Sequence, residues 1–112
     1  MDSRARKTIT IDMPPGLEHI FPAYLAWRRE EVPELIALLA ASDFERLAKL
    51  SHNIKGTGTS YGLPDLSRIG ADLELAAKQR DTAAAGAQLT QLNYYLEHLQ
   101  VIAHQRTPEV NG

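Results

Sequence analysis

The chain contains no cysteine, which excludes a disulfide framework, a thiolate metal cage and a cysteine nucleophile at once. Aromatics are scarce, with one Trp, two Phe and four Tyr in 112 residues. Trp27, Tyr24, Tyr94 and Tyr95 fall at helical spacing among core candidates and read as packing, not as a base-stacking platform. Charge of one sign is not in excess either, since 12 Lys and Arg face 14 Asp and Glu. The basic residues are scattered, so the stripe that marks nucleic-acid binding is missing. No apolar run approaches the roughly eighteen residues of a membrane span. The first twenty residues also hold no apolar stretch of signal-peptide kind, so the chain reads as cytoplasmic, with no nucleic-acid and no membrane partner. His19, His98 and His104 lack the spacing of a ligand pair on one helix face, and no metal site is assigned to them.

What is present suits one small domain, because a chain of this length buries roughly two thirds of its unfolded surface. Residues 1–16 form an N-terminal arm, polar and basic and then Thr8-Ile9-Thr10-Ile11, stopped by Met13-Pro14-Pro15-Gly16. From Leu17 onward, Ile20, Phe21, Tyr24, Leu25, Leu35, Ile36, Leu38 and Leu39 recur at helical spacing. Pro22 and Pro33 predict two segments there, with a start or kink at each proline. Arg28-Arg29-Glu30-Glu31 reads as a solvated face. Ser42, followed three residues later by Glu45, has the form of a capping box and predicts a new helix start. Gly62 is a natural terminator of that helix and Pro64 suits the first turn of the next, whose apolar line is Leu66, Ile69, Gly70, Leu73 and Ala77. Asp81 caps a last helix, with its line Ala85, Leu89, Leu92, Leu96, Leu99 and Ile102 or Ala103 running to near Gln105. The expectation is an all-α, up-and-down antiparallel four-helix bundle over 17–106, with an additional N-terminal helical segment and a C-terminal tail at 107–112.

The helix from 42 to 61 carries the chemistry. At about 100° per residue, Phe44, Leu47, Leu50, Ser51, Ile54, Gly58 and Tyr61 share one face. His52, Glu45, Gly56 and Thr59 fall on the opposite, solvent side, with Lys55 on the flank one turn from the histidine. Glycine in a helix interior costs about 0.5–1 kcal/mol relative to alanine, so Gly56 and Gly58 each need a reason. Gly56 lies one turn beyond His52, where a missing side chain leaves the imidazole open to a bulky partner. Gly58 points inward and suits close helix packing, with Gly70 as the candidate neighbour. A neutral imidazole takes a phosphoryl group directly, and a nearby ammonium such as Lys55 neutralises the charge that arrives.

The stretch Ser51-His52-Asn53-Ile54-Lys55-Gly56-Thr57-Gly58-Thr59-Ser60-Tyr61-Gly62-Leu63, with its capped start and the Leu66, Ile69, Leu73-Glu74 pattern after it, resembles the histidine phosphotransfer (HPt) domain family. Upstream, Tyr24-Leu25-Ala26-Trp27-Arg28-Arg29 is similar to that family's first helix. Thr57, Gly58 and Thr59 depart from the alanines usual in this run and lower its intrinsic helicity. The resemblance implies that His52 is the phosphoacceptor through Nε2, that Lys55 stabilises the phosphate, and that Gly56 makes room for a receiver domain. It further implies a stand-alone relay that lacks kinase activity and a cofactor of its own, and the weak, transient docking that turnover asks for points to a monomer. Its partners would be receiver domains of response regulators or hybrid histidine kinases, which bring the aspartate and Mg²⁺. Lys49, Glu45 and Thr59 would rim the docking surface.

Two other functions compete with this one. A histidine-kinase dimerisation hairpin places an acidic residue directly after its histidine and a proline shortly beyond, whereas here Asn53 follows and the next proline is Pro64. A module that docks on receivers or sequesters them without being phosphorylated would need neither His52 nor Lys55.

Overall fold

A computed structural model describes residues 9–12, 16, 17 and 19–102. Four helices, α1 (Phe21–Ala40), α2 (Phe44–Ser60), α3 (Pro64–Lys78) and α4 (Thr82–His98), form the bundle. Each packs on its neighbour in sequence, and α1 closes the ring onto α4. Two short strands flank them, β1 (Ile9–Asp12) and β2 (Leu99–Ile102), paired in parallel with Ile9 opposite Leu99.

The expected apolar lines meet in one core. Phe21, Leu25 and Leu35 of α1, Leu47 and Ile54 of α2, Leu66, Leu73 and Ala77 of α3, and Ala85, Leu92 and Leu96 of α4 are all buried. Burying side chains of this size stabilises by roughly 1.5–3 kcal/mol each for the larger ones, which is what pins four short helices together.

Several expectations are corrected. The N-terminal segment is not a separate helix, because Phe21–Ala40 is continuous with Pro22 in its first turn and Pro33 inside it. Pro33 lies on the exposed face, where the carbonyl that loses its donor is not sealed in the core. The last helix stops at His98 instead of Gln105, and Leu99 turns extended. The run Leu99-Gln100-Val101-Ile102, with two β-branched residues, exchanges helical bonds for a ladder with β1. Arg29 holds this exit, its Nε donating to the Leu96 carbonyl at 3.0 Å. Trp27 and Tyr94 are 48% and 42% exposed, and Ile20 and Ile36 also face solvent. Of the run Arg28-Arg29-Glu30-Glu31, expected to be solvated, Arg29 and Glu30 are exposed but Arg28 and Glu31 are buried. Residues 107–112 lie outside the described residues.

The buried pair ties α1 to α2. Arg28 bonds Glu31 through Nη1 and donates to the Tyr24 hydroxyl and, through Nη2, to Thr57 Oγ1 of α2 at 3.0 Å. Tyr24 and Thr57 also share a hydrogen bond of 2.7 Å, and the Tyr24 ring stacks on Tyr61 at 3.9 Å. A buried charge is tolerable when its donors are used this fully.

The three helix joints share one construction. Helix α1 ends with Ser42 N–H donating to Leu39 and Asp43 N–H to Leu38, and the ends of α2 and α3 repeat that pair of bonds at Gly62-Leu63 and Arg80-Asp81. This is the Schellman closure, which needs a left-handed residue. Ser42, Gly62 and Arg80 supply it, at φ 58°, 74° and 55°. The residue that finishes each closure also begins the next helix. Asp43 accepts from Arg46 N–H and Asp81 from Ala84 N–H. The cap of α2 is therefore Asp43, not Ser42, because Ser42 is already committed to ending α1.

The α2–α3 contact is the tightest. A Cβ on Gly58 would lie 2.7 Å from the Ser67 backbone nitrogen, and one on Gly70 2.7 Å from that of Lys55. Each glycine thus meets the facing backbone rather than the other glycine. Ser67 Oγ donates to the Lys55 carbonyl at 2.7 Å across the same seam.

Two outcomes follow for stability. Gly70→Ala should lower it by about 1–3 kcal/mol in urea or thermal unfolding, since a methyl cannot enter without parting the helices. Ser42→Gly should raise it by about 1 kcal/mol by relieving a left-handed side chain, a shift of roughly 4–8 °C in Tm for a domain of this size.

Candidate functional site

Outward from the core, α2 presents His52, whose side chain is 66% exposed. Its Nδ1 lies 3.1 Å from Oε2 of Glu74 on α3. Two ammonium groups share that carboxylate, Lys55 Nζ at 3.2 Å from Oε1 and Lys78 Nζ at 3.2 Å from Oε2. Glu74 itself is buried at the seam. Burial would push its carboxyl up, but hydrogen bonds from Lys78 and Lys55 outweigh that and hold it below the ordinary carboxylate range.

An ionised carboxylate only accepts hydrogen bonds, so the proton between Glu74 and His52 belongs to Nδ1. That assignment leaves the Nε2 lone pair free on the exposed side of the ring. The arrangement is a nucleophilic nitrogen with an oriented ring, and two cations one turn away on either helix. Such a set suits transfer of an anionic group, where positioning and charge neutralisation supply most of the effect.

The glycines divide by role. Nothing lies within 4 Å of a Cβ built on Gly56, so no packing within the domain requires glycine there. Gly58 and Gly70 instead let α3 approach until Glu74 reaches His52.

Among the other rim residues, Glu45 and Lys49 line a groove with His52 that runs between α2 and α3 toward Arg80. Its floor is apolar, formed by Phe44, Ala48 and Ala77, and the Arg80 guanidinium sits 4.9 Å from the Phe44 ring centre. Thr59 is turned to the seam, sharing a 2.9 Å hydrogen bond with Ser67. The geometry thus brings Glu45 and Lys49 into one groove with His52, joins Lys55 to the histidine through Glu74, leaves open space one turn beyond at Gly56, and ties Thr59 to the α3 seam.

Glu74, Lys78 and Arg80 were not among the residues singled out by sequence. A signal was present for the first two. Gly70, Glu74 and Ala77 stand one turn apart on the buried stripe of α3, and a carboxylate there demands cationic partners. Lys78, one turn on, supplies one of them.

Among the described residues, no group of three or more His, Asp or Glu side chains is placed to hold a metal ion. No described helix is long and apolar enough to cross a membrane.

A family model, the Hpt domain, matches residues 21–101. Neither the curated proteins nor the solved structures contain a match to the chain. The matched span opens with the first residue of α1, encloses all four helices and includes His52, its partner Glu74 and the two lysines on that carboxylate. The chain therefore belongs to the Hpt domain family, the phosphoryl-carrying histidine phosphotransfer domains of two-component phosphorelays, which work with receiver domains of response regulators.

Proposed function

We propose that this domain relays a phosphoryl group between receiver domains by way of phospho-His52. The observation that carries the reading is the tie between His52 Nδ1 and Glu74 at 3.1 Å on an otherwise exposed ring, because it leaves Nε2 as the outward nucleophile. The Nε2 lone pair attacks the phosphorus of a receiver's aspartyl phosphate. The P–O bond to that aspartate breaks, and its electron pair leaves with the carboxylate. The ring, protonated at Nδ1 and now substituted at Nε2, becomes a cation, and the Glu74 carboxylate stabilises that developing charge through the Nδ1–H bond. Lys55 and Lys78 neutralise the phosphoryl oxygens. The second transfer is the same exchange in reverse, to the aspartate of another receiver.

In this reading Mg²⁺ and the acidic pocket belong to the receiver, and the carrier docks as a monomer in short-lived encounters. Gly56 is the clearance for that docking, and Glu45 and Lys49 rim it.

The decisive experiment mixes the protein with a phosphorylated receiver and follows label onto it, using acid lability to identify phosphohistidine. Wild type should be labelled and His52→Gln should not. Binding without label for any receiver tried would favour docking alone, and labelling by ATP without a receiver would contradict a carrier role.

Gly56→Ala separates stability from function. With empty space around that position, the added methyl should raise stability by about 0.5–1 kcal/mol through helix propensity while slowing transfer. Faster or unchanged transfer would remove the clearance role.

For Glu74→Ala we expect transfer at least about tenfold slower, because the ring loses the carboxylate that fixes its tautomer and stabilises its developing charge. Nitrogen NMR of the His52 ring should move from the Nδ1–H form toward the Nε2–H form that predominates in water. Glu74→Gln, whose amide can donate as well as accept, should leave the ring a mixture of the two forms and recover only part of the tautomer signature.

A further inference from the structure

Trp27 is the single tryptophan of the chain and leaves 48% of its surface exposed on α1. It is not loosely placed. The Arg28 guanidinium lies 4.2 Å from its ring centre and Tyr24 meets it edge-on at 6.2 Å. Arg28 is itself buried and bonded to Thr57 of α2. A large apolar ring fixed in this way loses little side-chain entropy when it is covered, which is the property of an interface anchor.

Its position relates it to His52. Trp27, Glu31 and Glu34 recur at helical spacing along one stripe of α1. Glu34 bridges to Arg46 of α2 at 3.3 Å, and Arg28, beside the stripe, reaches Thr57. The stripe therefore follows the outer seam between α1 and α2. On the α2 side that seam is lined by Arg46, Asn53 and Thr57, which share one helix face. Asn53 is exposed and directly follows His52, and Thr57 directly follows Gly56. A body seated over His52 and the gap at Gly56 meets Asn53 next and then Trp27.

We infer that Trp27 is a docking anchor for the receiver domain, covered by an apolar side chain of the receiver when its aspartate faces His52. The inference rests on the relay reading above and adds to it a contact on α1, away from the α2–α3 groove. Trp27 takes no part in the transfer step. It positions the partner, and its effect falls on affinity.

Because the protein has one tryptophan, its emission reports this contact directly in the unmodified chain. A tryptophan-free receiver that labels His52, activated with beryllofluoride, would be titrated in while Trp27 emission and acrylamide quenching are recorded. Anisotropy of a dye on the receiver would measure binding separately. The expected result is a blue shift and at least about twofold weaker quenching at saturation, as a ring leaves water. Trp27→Ala should weaken docking about tenfold or more, as loss of an aromatic anchor does. Transfer at saturating receiver should stay within about twofold, the pattern of lost uniform binding. Binding by anisotropy with emission and quenching unchanged would overturn the anchor and leave the relay standing. If no receiver labels His52 at all, the relay reading falls and the anchor with it.

Discussion

The close approach of α2 and α3 is the constraint on which the rest of the site depends. Gly58 faces Ser67 and Gly70 faces Lys55, in each case with room for hydrogen and not for a methyl group. Stepping one turn further along both helices from that contact brings Glu74 level with His52. At a wider spacing the carboxylate could not touch the imidazole and both lysines together. The glycines within the seam thus act on the chemistry without being near it, by setting the distance from which Glu74 reaches across. Ser67 reinforces the spacing with its bond to the Lys55 carbonyl, so the backbone that carries Lys55 is held from two directions.

The other side of α2 is held by a different kind of force. There the anchor is polar, the buried Arg28 with Glu31, Tyr24 and Thr57. Burial pushes the Glu31 carboxyl up, and Arg28 beside it offsets only part of that. Such a network contributes little net stability against an apolar substitute, but it has few alternative arrangements. Between the tight seam and this network, the segment from His52 to Thr57 is held on both sides. The outward aim of the imidazole follows from that restraint.

Much of this was legible in the sequence because it depends on periodicity. The apolar lines of α2 and α3 fall where their spacing puts them, and the outward placement of His52, Lys55 and Gly56 follows from the same count. Gly62, Pro64 and Asp81 take the end positions their chemistry favours. What escaped depends on tertiary partners. Ser42 looks like a cap in isolation, and only the preceding helix shows that its left-handed backbone is used to end α1. Arg28 and Glu31 look solvated until Thr57 is found opposite them. The turn of the chain into β2 depends on β1, some ninety residues earlier. Glu74 stands within the apolar pattern of α3, so its burial can be read from spacing, but its bond to His52 depends on how α2 and α3 meet.

The joints carry a consequence for how such a chain can change. Each connection ends one helix and starts the next with the same residue, so no spare length lies between them. An added or removed residue inside α1, α2 or α3 finds no slack at the joint that follows. It would turn the rest of that helix by about 100°, carrying a buried line toward the surface. Diversification of this fold is thereby channelled into exchanges of side chains at constant length, and the exposed rim around the histidine is where those exchanges cost the framework least.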